Sequence, residues 1–182
     1  MLFLQEVKIA LKDRKTQDAV QNAVNTPLPF ERVSRGLKYD VHFTLPNDPH
    51  NARGLCGNGK LYSVCSIIRS DISSTLNLTP EVRTVGWDKE GRISIVHLTS
   101  TTPTANSPLN LALNLAFINT YAPNGTSNPY HSPLTETILG TRHDRKLTFH
   151  KLLIEECLRL EKEGWQIVIA GDMNRWRRRD DN

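Results

Sequence analysis

No apolar run in this chain approaches the roughly 20 residues that a membrane-crossing helix needs. The opening Met1-Leu2-Phe3-Leu4 is interrupted by Gln5-Glu6 and lacks the form of a signal peptide. The triplets Asn77-Leu78-Thr79 and Asn124-Gly125-Thr126 are therefore not expected to carry sugar. Cysteine is scarce. Cys56, Cys65 and Cys157 are odd in number and lack Cys-x-x-Cys spacing, which speaks against a disulfide framework or a structural zinc site. They read as reduced thiols of an intracellular protein, with nucleus and cytoplasm not distinguished. No internal repeat is visible.

What is present describes one soluble globular domain spanning residues 1–182, with 38% hydrophobic and 23% charged residues and enough chain for a sizeable core. The net charge of +4 is uneven. Residues 175–182, Arg-Trp-Arg-Arg-Arg-Asp-Asp-Asn, hold four positive and two negative charges, a surplus that suits either a phosphate-bearing partner or a solvated end.

Leu2, Phe3 and Leu4 predict a first strand that delivers Gln5-Glu6 at its end. Ala19, Val20, Ala23 and Val24 predict a helix over 16–25, capped by Thr16 and stopped before Pro27. Strands are expected over 38–45 and 61–68, separated by a polar loop at 47–59. A hairpin is expected with arms at 82–87 and 92–98 around Asp88-Lys89-Glu90-Gly91, then a surface loop at 99–108. Alternation from Leu109 to Phe117 predicts a further strand running out into Asn119-Thr120-Tyr121-Ala122-Pro123-Asn124. The best helical pattern covers 143–162, with Phe149, Leu153, Cys157 and Leu160 on one face, widened by Leu152 and Ile154, and Gly164 beyond its end. Trp87 and Trp165 are expected in the core. The hairpin requires antiparallel pairing and the long helix permits a parallel crossover, so the fold class is α/β with a mixed β-sheet and flanking helices.

The stretch Gln166-Ile167-Val168-Ile169-Ala170-Gly171-Asp172-Met173-Asn174 organises the rest. Its aliphatic run reads as a strand buried on both faces. Asp172 and Asn174 emerge at the carboxyl end, where a rigid sheet fixes polar groups better than a mobile loop does. Gly, Asp and Asn are also common turn residues, so the stretch alone does not decide between a site and a turn.

With these pieces placed, the chain resembles the endonuclease/exonuclease/phosphatase (deoxyribonuclease-I-like) superfamily, and within it the exonuclease III-type apurinic/apyrimidinic endonucleases. The resemblance rests on five motifs in order. They are Leu4-Gln5-Glu6 with Lys8, the strand from Leu61-Tyr62-Ser63-Val64 to Arg69, Asp88-Lys89-Glu90-Gly91-Arg92, Asn119-Thr120-Tyr121-Ala122-Pro123-Asn124, and Gly171-Asp172-Met173-Asn174 with Asp181 beyond it. The family's opening strand and its second half, with a later Asp and a Ser-Asp-His motif, have no counterpart in residues 1–182. None of the six histidines stands where the family places its catalytic one. The resemblance therefore implies one incomplete domain, part of a four-layer α/β sandwich: a fragment, a mispredicted gene product or a decayed copy.

The resemblance implies Mg²⁺ (or Mn²⁺)-dependent hydrolysis of phosphodiesters in nucleic acid, with DNA as the expected partner and DNA repair as the setting. Glu6, Asp172 and Asn174 would hold the metal. Tyr121, Asp172 and Asn174 would be catalytic: Asp172 acting on the attacking water, Asn174 fixing it, and Tyr121 donating to the phosphate region or acting as phenolate. Lys8, Tyr62, Arg92, Asn124 and Arg142 would line the substrate groove, Arg92 and Arg142 as phosphate forks. The missing half implies impaired activity, and a lone sheet would expose its inner apolar face and self-associate. Two alternatives stay open: an inactive remnant that binds nucleic acid, and a phosphatase acting on a phosphomonoester or lipid.

Overall fold

The structure, a computed structural model, describes residues 1–27, 36–51, 61–100 and 114–174. The expectations at 52–59, 101–113 and 175–182 lie outside the described residues. The elements in order are β1 (Leu2–Val7), α1 (Arg14–Val24), β2 (Tyr39–Thr44), β3 (Ser63–Arg69), α2 (Ile72–Leu76), β4 (Leu78–Arg83), β5 (Ile93–Ser100), β6 (Asn114–Tyr121), β7 (Pro129–His131), β8 (Ile138–Thr141), α3 (Arg142–Lys162) and β9 (Gln166–Asp172). The fold is mixed α/β.

Two larger sheets are built. The first has strand order β1-β3-β2 and is antiparallel throughout. The second has order β4-β5-β6-β9, antiparallel except for the parallel pair β6–β9, which α3 makes possible as the crossover. The sheets meet face to face. Ile68, Val96 and Leu98 are buried between them, joined by Phe3, Leu115 and Phe117. On the other face of the second sheet, Ile93, Ile95, Ala116 and Ile118 pack against Phe149, Leu153 and Leu160 of α3. Trp87 and Trp165 border this second layer, as expected of core-edge aromatics.

A polar ladder crosses the gap between the sheets. The Gln5 amide donates to Asn119 Oδ1 at 2.8 Å, and Asn119 Nδ2 donates to the Cys65 carbonyl at 3.0 Å. The hydroxyls of Ser66 and Ser94 lie 2.8 Å apart. Asn119, Ser66 and Ser94 are fully buried, and such groups tolerate only the register in which each finds its partner.

Several expectations are corrected. The chain forms two facing sheets rather than one, so much of the inner apolar face is covered. β9 is not buried on both faces: it is an edge strand, with Val168 44% and Ile169 46% exposed. Four aliphatics in a row indicate a strand without stating how many neighbours it has. In the 88–91 region the hairpin arms are β4 and β5, and the connection runs from Thr84 to Arg92 rather than through a four-residue turn. α1 starts two residues earlier than expected, capped by Asp13, whose carboxylate accepts from the Thr16 N–H at 3.1 Å. Ile154 is 60% exposed, on the solvent side of α3.

Candidate active site

Two strand ends from different sheets meet at one rim. β1 breaks its pairing register with β3 between Leu4 and Val7, and inside that bulge Glu6 adopts φ +54°. A bulge re-aims a side chain, and a left-handed conformation costs a non-glycine residue about 1–3 kcal/mol. Glu6 is thereby turned to the rim, its side chain 52% exposed.

The other contribution comes from β6 and β9, whose parallel register sets Tyr121 opposite Asp172. Gly171 holds φ +143°, and a Cβ there would stand 1.9 Å from the Thr120 carbonyl oxygen. Only glycine lets β9 close on β6 at this point and so bring Asp172 to the end of Tyr121. The strand then turns. Asn174 takes φ +46°, its N–H donating to Asp172 Oδ1 at 2.7 Å and its Nδ2 to the Ala122 carbonyl at 2.5 Å.

The Tyr121 hydroxyl joins the two halves. It donates to Glu6 Oε1 at 3.0 Å, with the Asn174 side chain close by on the other half. Burial first, then the hydrogen bond and charge of Glu6, push the Tyr121 phenol up to about 12, against Arg92 and Asn174, which act to lower it. At neutral pH the phenol is therefore a proton donor that orients Glu6.

Around this hinge, Lys8 Nζ lies 3.5 Å from Glu6 Oε2 and 5.5 Å from the centre of the Tyr62 ring. The Tyr62 and Tyr121 rings stand 5.9 Å apart. Lys8 and Tyr62 thus border the same rim as Glu6. Asn124 is exposed on the loop that follows β6.

Arg92 and Arg142 are placed differently from an open phosphate fork. Arg92 is 7% exposed, with Nε 3.1 Å from Glu90 Oε2 and Nη1 donating to the Tyr121 carbonyl at 3.3 Å. Arg142 donates from Nη2 to the same Glu90 oxygen at 2.7 Å, and its guanidinium stands 5.5 Å from the centre of the Tyr130 ring. Both belong to a buried cluster completed by Arg145, whose Nε donates to Glu90 Oε1 at 3.2 Å. Glu90 and Arg145 were not singled out from sequence. The available signal was Arg142, Arg145 and Lys146, spaced at i, i+3 and i+4.

The oxygen donors gathered at the rim are two carboxylates and an amide, Glu6, Asp172 and Asn174. A hard divalent cation such as Mg²⁺ takes one or two carboxylates and completes its shell with water, so this donor set fits it. Among the described residues, no three His, Cys, Asp or Glu side chains gather into a metal-holding group of the denser kind. The histidines take other positions. His97 is 3% exposed and stacks on Trp165 at 4.1 Å, and the His150 ring of α3 stands edge-on to Phe149 at 6.1 Å. Comparison with protein-family models, curated proteins and solved structures finds no match to this chain.

Proposed function

We propose that the chain carries the Glu–Tyr–Asp–Asn part of a Mg²⁺-dependent phosphodiesterase site acting on nucleic acid, in a deoxyribonuclease-I-like sandwich. The observation that carries this reading is Tyr121, whose hydroxyl donates to Glu6 of β1 while its backbone stands opposite Asp172 of β9, just before the Asn174 turn. Chance polar turns at two strand ends have no reason to converge on one buried phenol. The facing sheets and the helix covering the second sheet support the fold part of the proposal.

Glu6, Asp172 and Asn174 are the residues that would hold the cation, which when bound supplies charge neutralisation for an anionic phosphate. Asp172, oriented through its bond from the Asn174 N–H, is placed to accept a proton from an attacking water. Tyr121 holds Glu6 in place by donating to it. Lys8 and Tyr62 offer a positive charge and a ring face to a nucleotide chain.

No histidine takes part in the hydrogen bonds around the Tyr121 hydroxyl, and a positioned acid–base group is worth about 10²–10⁴-fold in rate. Slow turnover is therefore expected. The test is nicking of a duplex containing one abasic site, with Mg²⁺, set beside phosphate release from inositol phosphates. Nicking that disappears in Asp172→Ala supports the proposal. Phosphate release alone moves the chain to the phosphatase reading, and binding of the duplex without cleavage by either route favours a non-catalytic remnant.

A further inference from the structure

α3 reaches the candidate site through two side chains one turn apart. Lys146 is 7% exposed, a rare condition for lysine, and its Nζ donates to the carbonyl oxygen of Asn174. His150, four residues on, lies near the backbone of Met173. The stem of Lys146 also lies against the loop after β6, where a Cβ on Gly125 would stand 3.1 Å from Lys146 Cδ. Lys146 thus touches both segments that supply rim residues, the one following Tyr121 and the one following Asp172.

Asn174 is fixed on its other sides by Asp172 at its N–H and by the Ala122 carbonyl at its side chain. Its left-handed backbone, at φ +46°, persists only where the surroundings over-determine it. The carbonyl is the one remaining handle on this peptide, and Lys146 holds it.

The geometry points to Lys146 as a positioning residue: its ammonium locks the Asn174 turn, and thereby sets where Asp172 and Asn174 present their oxygens. The consequence for cation binding rests on the proposed function, whereas the conformational claim does not. A lysine acting only as a nearby charge would repel a bound cation, so its removal would tighten binding. A lysine that positions the ligands has the opposite effect, and the sign separates the two.

The experiment uses the full chain. Proton–nitrogen NMR spectra of protein labelled at asparagine, with no metal added, compare the parent with Lys146→Met, which keeps the stem and deletes the donor. The Asn174 backbone and side-chain signals should move and the backbone amide should exchange about tenfold faster, while the signals of Asn119 stay in place. Unmoved Asn174 signals would overturn the proposal. Tb³⁺, added as a probe ion and read through luminescence sensitised by the adjacent tyrosines, should bind about tenfold more weakly to Lys146→Met. Unchanged or tighter Tb³⁺ binding would overturn the positioning role. Should the parent show no Tb³⁺ binding that Glu6→Gln removes, the cation reading fails, and the asparagine spectra still decide the lock. If Lys146→Met does not fold, Lys146→Gln, too short to reach the carbonyl, takes its place. Failure of both to fold would make Lys146 a residue of the fold and sink the proposal.

Discussion

Glu90 shows how the interior next to the rim is held at the level of single side chains. The carboxylate is 2% exposed, and burial alone would raise its pKa. Arg92, Arg142 and Arg145 reverse that effect and bring it down to about 2. Asp88 is shifted the other way, by burial and then by the charge of Glu90, against the backbone donors it accepts from. The signs follow. A depressed carboxyl contributes stability that is present above its ordinary value of 4.5 and is lost as pH falls towards about 2. The raised Asp88 runs counter to this, since its folded form takes up a proton first. Glu90→Gln, which takes away the charge that Arg92, Arg142 and Arg145 share, should destabilise the fold by about 3–5 kcal/mol near neutral pH. The gap between parent and variant should narrow between pH 4.5 and about 2, as measured by urea unfolding at stepped pH. A gap that stays constant down to pH 3 would show that the guanidiniums do not set the Glu90 charge. This cluster also shows what the sequence does not reveal about Arg92 and Arg142: both pair with Glu90. Arg142 finds its carboxylate 52 positions away, and no local pattern announces such a partner. Glu6, Tyr121, Asp172 and Asn174 were legible because each stands at the end of an apolar run, where a strand must release its next side chain at a sheet rim.

Among the elements, legibility followed length and capping. α3 was readable to within a residue of its start because its helical period extends over five turns and the Thr141–Asp144 capping box marks its beginning. α2 has five residues, too few for a period to show. β7 and β8 are likewise short, and they pair only with each other. α1 illustrates a different difficulty. Its contact with β2 is made by amides rather than by an apolar stripe. Gln21 donates to the Tyr39 carbonyl at 2.8 Å and accepts from the Val41 N–H at 3.1 Å, while Asn25 pairs with both backbone groups of Tyr39. The helix thus supplies the free edge of β2 with the partners that another strand would have given it, and so blunts the edge against association. Gln21→Ala should cost about 1–3 kcal/mol, because it leaves the Val41 N–H to find water in a half-buried place and the Tyr39 carbonyl with Asn25 as its remaining donor. Denaturant unfolding with an unchanged slope checks this; a midpoint equal to the parent's would mean that the α1–β2 contact bears no weight.

For the molecule as a whole, the contrast lies between this covered edge and the open one at β9. β6 occupies one side of β9, and its Val168 and Ile169 point to opposite faces, both nearly half exposed. Among the described residues, no helix amide pairs with this edge and no charged side chain stands between Gln166 and Asp172 to discourage another strand from adding there. The centre of the fold is well specified, by the polar ladder between the sheets and by the aliphatic layer beneath α3, so association is expected to proceed from folded molecules rather than from loosened ones. Sedimentation of the full chain should show reversible, concentration-dependent growth in mass with its circular dichroism unchanged. Val168→Lys places a charge on the face turned towards the first sheet, where an added strand would have to bury it, and should shift that equilibrium towards monomer without lowering the unfolding midpoint. If the parent sediments as a monomer at all concentrations, the open edge is not adhesive. If it associates and Val168→Lys associates equally, the contact lies elsewhere, and the exposed aliphatic side chains of β1, Leu2 and Leu4, become the next surface to charge.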